Sequence, residues 1–344
     1  MRKRPTLADV AHRAGTSTAV VSYVLNNGPR PVSDALRAKV VAAVDELDYR
    51  PDRIAKALRR PGRWRQIGLL VPDVTMPLYG AFVGRVEIEA RQRDHLTMVG
   101  NTGFDPEREL EFAGAFTDVG IDGLIVVGAV NAPGTGQLCA QARVPAVWVH
   151  NTRGSLEAPI IGVDHVSAGE LATMHLVTHH SCRDVVFVGG LTDEAVRHGD
   201  LETVVQRFKG FATAVGDSAR AISTDLTAAC AYAAVAEHLR TCDRPPDGFV
   251  VGTYGQASAV MRATTDAGLR IPQDVRVVGF DADAANNYKH AILTTVQQPI
   301  EAITRGALGL LLDDGRSSAR GASVPPFAST LNVGETCGCA APET

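Results

Sequence analysis

Aromatic residues make up only 5% of this 344-residue chain, and just five of its 34 basic residues are lysine. No stretch approaches the roughly 18 consecutive apolar residues that a membrane-spanning helix needs. The opening MRKRPTLADV also lacks the apolar core of a secretory signal. The expectation is a cytoplasmic protein with no membrane partner. Six scattered cysteines form no C-x-x-C pair and show no matching histidine spacing for zinc, so they read as reduced thiols with no metal site. Cys337 and Cys339, one residue apart, could oxidise or bind a metal, but they read first as a solvent-near tail pair. A Walker loop, a G-x-S-x-G elbow and a G-x-G-x-x-G turn after a strand are all missing, so the chain reads as neither an enzyme nor a cofactor carrier.

What is present is 45% hydrophobic and 21% charged, with 33 Gly and 18 Pro, the profile of a globular chain of two or three domains. Its charge is unevenly placed. Residues 1–65 hold 14 Lys/Arg against 6 Asp/Glu and the remainder 20 against 32, which divides the net −4 into +8 and −12. A basic head on an acidic body points to a head that meets a polyanion, nucleic acid before a membrane surface.

Within the head, Thr6-Leu-Ala-Asp9 has the form of a capping box. Leu7, Val10, Ala11 and Ala14 then fall on one helical face, and Gly15 supplies a left-handed stop. Ser17 can cap a second helix with Val21, Val24 and Leu25 inward and Thr18, Ala19, Ser22, Tyr23 and Asn26 outward. Two short helices joined by a glycine turn make a helix-turn-helix. A third helix fits Ser33 to Leu47, with Leu36, Val40, Val41, Val44 and Leu47 covering the first two. A helix of about two turns follows between Pro51 and Pro61 and is marginal alone.

From residue 64 onward, short apolar runs alternate with amphipathic stretches. Ile67 to Val71, Leu96 to Gly100, Gly123 to Val127, Val147 to Val149 and Ile160 to Val163 form one set, and Val185 to Val188, Ala221 to Ser223, Phe249 to Val251 and Val275 to Val278 a second. That rhythm reads as two lobes, each a parallel sheet wound by helices on both faces.

The run TLADVAHRAGTSTAVVSYVLN, followed by VSDALRAKVVAAVDELDYRPDRIAKALR, resembles the DNA-binding head of the LacI/GalR family of bacterial transcription regulators. IGLLVPDVTMPLYGAFVGRVEIEA, VDHVSAGELATMHL and VVGFDADAANNYKHAILTTVQQP resemble the periplasmic-binding-protein-like body attached to such heads. The resemblance implies an α/β chain: a small all-α helix-turn-helix head at 1–50, a hinge helix and linker at 51–64, and a two-lobed effector-binding and dimerisation domain at 65–338. Three crossovers, near Asp164, Leu293 and Val324, would give one lobe about 65–163 and 294–323 and the other about 164–293 and 324–338.

By the same resemblance Thr18, Ala19 and Tyr23 read bases, while Ser17, Ser22 and Asn26 lie nearer phosphates and Thr6 is a further DNA-binding residue. Leu58 is the minor-groove wedge, flanked by Lys56 and Arg59. Tyr23 replaces the arginine most common there and so removes a bidentate partner for guanine. In the body, Arg207 of QRFKGF and Asp281 of VGFDAD clasp a ligand's polar groups, and Leu78 and Tyr79 lie beneath it. Met76, His150 and the pair Thr253 and Tyr254 stand where the family usually has amides or a carboxylate. These departures point to a ligand less polar than a free hexose, or to none.

The implied function is a homodimeric, nucleoid-associated transcriptional regulator of the repressor type on a pseudo-palindromic double-stranded operator. A small molecule of carbohydrate type would control it from between the lobes, with no cofactor. Two other readings stand beside this one: a DNA-binding regulator without small-molecule control, and a solute-binding receptor, which would not need the basic head.

Overall fold

The computed structural model describes residues 5–26, 32–47, 65–149, 159–191, 201–282, 291–312 and 324–339. The chain divides into two units, Met1–Trp64 and Arg65–Thr344. Lys56, Leu58, Arg59, His150 and the side chain of Asn26 lie outside what is described.

In the first unit, α1 (Leu7–Arg13) opens on the expected capping box. The Thr6 hydroxyl accepts from the Asp9 amide at 3.3 Å, and the Asp9 carboxylate accepts from the Thr6 amide at 2.7 Å. The helix stops before Gly15, at φ +64°. The Ser17 hydroxyl then accepts from the Val20 amide and opens α2 (Thr18–Asn26), and α3 (Asp34–Glu46) closes the bundle. Val10, Ala11, Ala14, Val21, Val24, Val40 and Ala43 form its core. Val41, expected inside, is 47% exposed, because Val40 and Ala43 take the inward positions of that turn.

The second unit contains two sheets. In the first, β1 (Gln66–Val71), β2 (Leu96–Asn101), β3 (Gly123–Val127), β4 (Ala146–Val149) and β5 (Ile160–Ile161) lie in the order β2-β1-β3-β4-β5, all parallel. Crossover helices α4 (Pro77–Arg91), α5 (Pro106–Val119) and α6 (Ala132–Ala142) link them. β1 and β3 are continuous apolar runs because both faces of a parallel sheet are covered. Glu109, only 1% exposed, stays satisfied by accepting from the Val130 and Asn131 amides and the Thr135 hydroxyl at the start of α6.

The second sheet runs β11-β10-β9-β8-β6-β7, where β6 is Val185–Gly189, β7 Arg220–Ser223, β8 Gly248–Val251, β9 Arg276–Phe280, β10 Thr294–Gln297 and β11 Thr330–Asn332. Five strands are parallel, and β11 is an antiparallel edge on β10. Its helices are α7 (His165–Met174), α8 (Leu201–Val215), α9 (Ala228–Thr241) and α10 (Tyr254–Asp266). In both sheets the strand order reverses, between β1 and β3 and between β6 and β8, and ligands of such folds sit beyond the carboxyl ends of strands at that reversal.

Two crossovers fall later than expected. β10 stays in the second sheet, because Thr294 finds its partners there: its amide donates to the Thr336 hydroxyl and its own hydroxyl accepts from the Gly334 amide. The chain enters the first lobe only with α11 (Ile300–Leu312), whose Ile303, Ala307, Leu308 and Leu311 join the core around Ile67 and Phe82. Near the last crossover the Phe327 amide still donates to the Gly162 carbonyl, and the return is complete only at β11.

α7 and α8 cross with their backbones almost touching. A Cβ on Gly169 would overlap the Arg207 carbonyl oxygen, and one on Gly210 the Val166 carbonyl oxygen. This crossing holds α8 against the lobe. Gly210→Ala is expected to cost about 1–3 kcal/mol, read as a fall of several degrees in Tm. An unchanged Tm would contradict the crossing.

Candidate functional site

Two surfaces carry the residues expected to be functional. On the head, Thr6, Ser17, Thr18 and Ala19 are exposed, and Ser22 and Tyr23 are half-buried. Thr18, Ala19, Ser22 and Tyr23 thus leave the core to Val21 and Val24 of the same helix. α2 has no acidic residue in its first turn, so no carboxylate offsets the positive end of its dipole, which attracts anions. The Thr6 hydroxyl is already engaged with the Asp9 carboxylate at 2.7 Å.

In the body, Arg207 projects from α8 to the carboxyl edge of the second sheet. Its Nη1 donates to the Gly252 carbonyl at 2.7 Å and its Nη2 to Asp281 Oδ2 at 2.8 Å. The guanidinium carbon lies 4.2 Å from the centroid of the Phe280 ring. Asp281 immediately follows β9 in a left-handed conformation, φ +54°, which turns its carboxylate across the strand ends. Gln298, at the end of β10, completes the cluster: its amide reaches Asp281 Oδ1 at 3.2 Å and its Nε2 donates to Oδ2 at 2.7 Å.

Arg207, Asp281 and Gln298 are 3%, 6% and 4% exposed. Arg207 Nε and Gln298 Oε1 have no hydrogen-bond partner among the described residues. The pair expected to clasp a ligand is therefore paired internally, and it leaves one buried donor and one buried acceptor unmatched. Leaving such groups unmatched costs about 1–3 kcal/mol each, and unsatisfied groups of this kind call for an explanation. Gln298 was not anticipated, because a glutamine after a strand carries no local signature.

The other expected residues divide. Thr253 is half-buried and its hydroxyl donates to Gln256 Oε1, while Gln256 Nε2 donates to the Thr224 hydroxyl at 2.6 Å. Leu78 is half-buried at the edge of the first lobe's core beside Met76. Tyr79, 2% exposed, packs edge-to-face on Phe104 at 6.3 Å within that core. Tyr254, at the carboxyl end of β8, packs against Val251, Ala257 and Leu293 of the second lobe's core. The first position after a helix cap turned its ring inward.

A cavity of about 120 Å³ opens beside the crossovers. It is lined by Ile161 and Val163 from one lobe, Thr203 and Gln206 of α8, one turn before and immediately before Arg207, and Val324 and Pro326 from the last crossover. A further group of side chains, which sequence spacing did not reveal, brings His175 and His180 to Cys337 and Cys339. No helix among the described residues is long and apolar enough to cross a membrane.

Comparison with known proteins agrees with this fold. The profile of bacterial regulatory proteins of the lacI family matches residues 6–52, and that of the periplasmic binding protein-like domain matches 173–337. The regulator PtxS of Pseudomonas plecoglossicida is 30% identical over 321 residues, 91% of this chain and 89% of its own. Catabolite control protein A of Priestia megaterium is 27% identical over 89% of this chain and 91% of its own. Among solved structures, a lac repressor dimer bound to operator and an anti-inducer has the same fold, with a TM-score of 0.76 at 24% identity over 97% of this chain and 99% of its own. So does a LacI-family regulator of Enterococcus faecium with bound ribose, with a TM-score of 0.68 at 22% identity over 81% of this chain and all of its own. A basic three-helix head, two doubly wound lobes and a polar cluster at their strand ends thus meet a full-length relative at 30% identity, and the chain belongs to the LacI family of DNA-binding transcriptional regulators.

Proposed function

We propose that this regulator is a homodimeric repressor whose grip on a pseudo-palindromic operator is set by a small molecule of carbohydrate type bound against Arg207, Asp281 and Gln298. The observation that carries the reading is the buried cluster at the strand ends, where Arg207 Nε and Gln298 Oε1 offer a donor and an acceptor that no described residue matches. A hydroxyl group both donates and accepts, so vicinal hydroxyls suit that pair. Relatives of the same fold were solved with ribose and with an operator and an anti-inducer, which supports the class of both partners.

The mechanism follows from the crossovers. Ligand that draws the lobes together acts on the segments at 162–164, 298–299 and 327–329, and so on the first lobe, to which the head is joined through residues 51–64. A coupling of about 1–3 kcal/mol gives roughly 5- to 150-fold control of operator affinity. Base contacts from Thr18, Ala19 and Tyr23 specify the site, with Ser17 and Ser22 positioning the helix. Two heads related by a two-fold axis make so short a helix selective.

A screen of mono- and disaccharides, sugar phosphates and nucleosides by thermal shift tests the effector. A ligand at 100 times its Kd is expected to add about 2.7 kcal/mol, several degrees in Tm. The same ligand must change operator affinity and lose its effect in Gln298→Met. A hit that survives Gln298→Met, or leaves operator affinity unchanged, removes the cluster from the effector site. One observation favours a second reading: Arg207 and Asp281 already neutralise each other. Silence across the panel, with operator binding intact, supports a regulator that responds to no small molecule.

A further inference from the structure

The second lobe carries four metal-ligating side chains outside the effector cluster, whose Asp281 and Gln298 follow the carboxyl ends of β9 and β10. α7 ends in a π-turn, His175–His179, and His180 caps it. In an α-helix, residues five apart point about 140° away from each other, since each residue turns about 100°. The i→i+5 bonding of a π-turn removes most of that offset. His175 and His180 are accordingly neighbours, with ring centroids 4.9 Å apart. π-turns concentrate at functional sites, and nothing in the effector or DNA reading uses this one.

The C-terminal segment brings two thiols to the same place. Thr336, fully buried, fixes that segment: its hydroxyl donates to the Val277 carbonyl and accepts from the Thr294 amide, and its carbonyl accepts from the Val277 amide. Gly338 then takes φ +92°, a conformation favouring glycine, and turns the chain so that the cysteines on either side of it face the imidazoles. Cys339 Sγ lies 3.3 Å from His180 Nε2 and 3.9 Å from His175 Nε2. The ligand atoms of His175, His180, Cys337 and Cys339 all fall within 4.8 Å of one another.

We propose that His175, His180, Cys337 and Cys339 form a tetrahedral binding site for a thiophilic divalent cation of the zinc class, which staples the C-terminal segment to the end of α7. Zinc–sulfur and zinc–nitrogen bonds of about 2.3 and 2.0 Å put tetrahedral ligands roughly 3.3–3.8 Å apart, so the observed spacing needs only a small contraction. Two imidazoles and two thiols are a recurring structural zinc set, and soft thiolates select against magnesium and calcium. The site is reachable: Cys337 is fully buried, but Cys339 and both histidines are half-buried.

The surroundings suit the charges. The Arg276 side chain packs beside Gly338, and its Nε has no hydrogen-bond partner among the described residues. On binding, the cation takes four ligand lone pairs, and the two thiols release their protons to water, leaving a site of no net charge. The exposed His179 stacks on His175 at 5.2 Å without joining the four.

The test uses full-length, tag-free protein purified under reductant. Titration with zinc is expected to saturate at one equivalent per chain and to raise Tm by several degrees. Cobalt in place of zinc is expected to show thiolate-to-metal charge-transfer absorption with the visible bands of a tetrahedral ion. Cys339→Ser and His180→Gln, both at half-buried positions, should each weaken zinc binding at least about tenfold, while His179→Ala should not. Far less than one equivalent of zinc, a cobalt spectrum without the thiolate band, or unchanged affinity in Cys339→Ser would overturn the proposal. So would a Cys337–Cys339 disulfide in the reduced preparation.

Discussion

Replacing Arg207 by alanine is expected to lower stability by about 3–5 kcal/mol, the usual result of removing one partner of a buried ion pair. The cause is what remains. The Asp281 carboxylate, 6% exposed, would lose its guanidinium partner and keep the Gln298 side chain and amide as its donors among the described residues, and the Gly252 carbonyl would lose its partner. The Phe280 ring would lose the guanidinium above it. Equilibrium denaturation should show the full loss, and a thermal scan a fall of roughly 6–15 °C for a domain of this size. Charge removal and lost packing separate in a double substitution: Arg207→Met with Asp281→Leu should recover most of the stability, because apolar residues of similar volume replace such pairs at little cost. Effector response should vanish in both proteins. If Arg207→Ala costs under about 1 kcal/mol, as an exposed pair would, the cluster is not the buried anchor described here.

That pair also shows where sequence reading stops. Arg207 and Asp281 stand out in the chain, but their partnership spans 74 residues and depends on a left-handed turn at Asp281 that no local pattern encodes. Gln298 joins them only because β10 remains in the second sheet, and that in turn rests on Thr294 bonding to Gly334 and Thr336 near the end of the chain. The capping box of Thr6 and Asp9 was legible because every group lies within three residues. So were the parallel strands, whose apolar runs follow from burial on both faces. Val41 was misplaced because a helix has two sides, and which side an apolar residue takes depends on what packs there. The histidine–cysteine cluster was invisible at sequence level because a π-turn shifts the helical phase and 164 residues separate Cys339 from His175.

The head's grip on DNA should be the most salt-sensitive property of the protein. Residues 1–65 carry a balance of +8 on a chain whose total is −4, so the attraction to phosphate is local and the body opposes it. If the dimer neutralises 6–10 phosphates, specific affinity should fall by about 10³- to 10⁵-fold between 50 and 200 mM salt, with a log–log slope near −0.9 per phosphate. Substitutions then divide by mechanism. Tyr23→Ala, on the outward side of α2 while Val21 and Val24 hold the core, should cost about 1–3 kcal/mol of discrimination between sites and leave the slope unchanged. Arg13 is a useful contrast: it pairs with Glu46 at 2.6 Å across α1 and α3, so its loss should leave the slope nearly intact and act on the fold by about 1 kcal/mol or less. Fluorescence anisotropy on operator and random duplexes across a salt series reads all of these together. A flat salt response would mean that the head does not hold DNA through its phosphates. A steep response with equal affinity for every sequence would leave the helix-turn-helix docked on the backbone, with Tyr23 reading nothing.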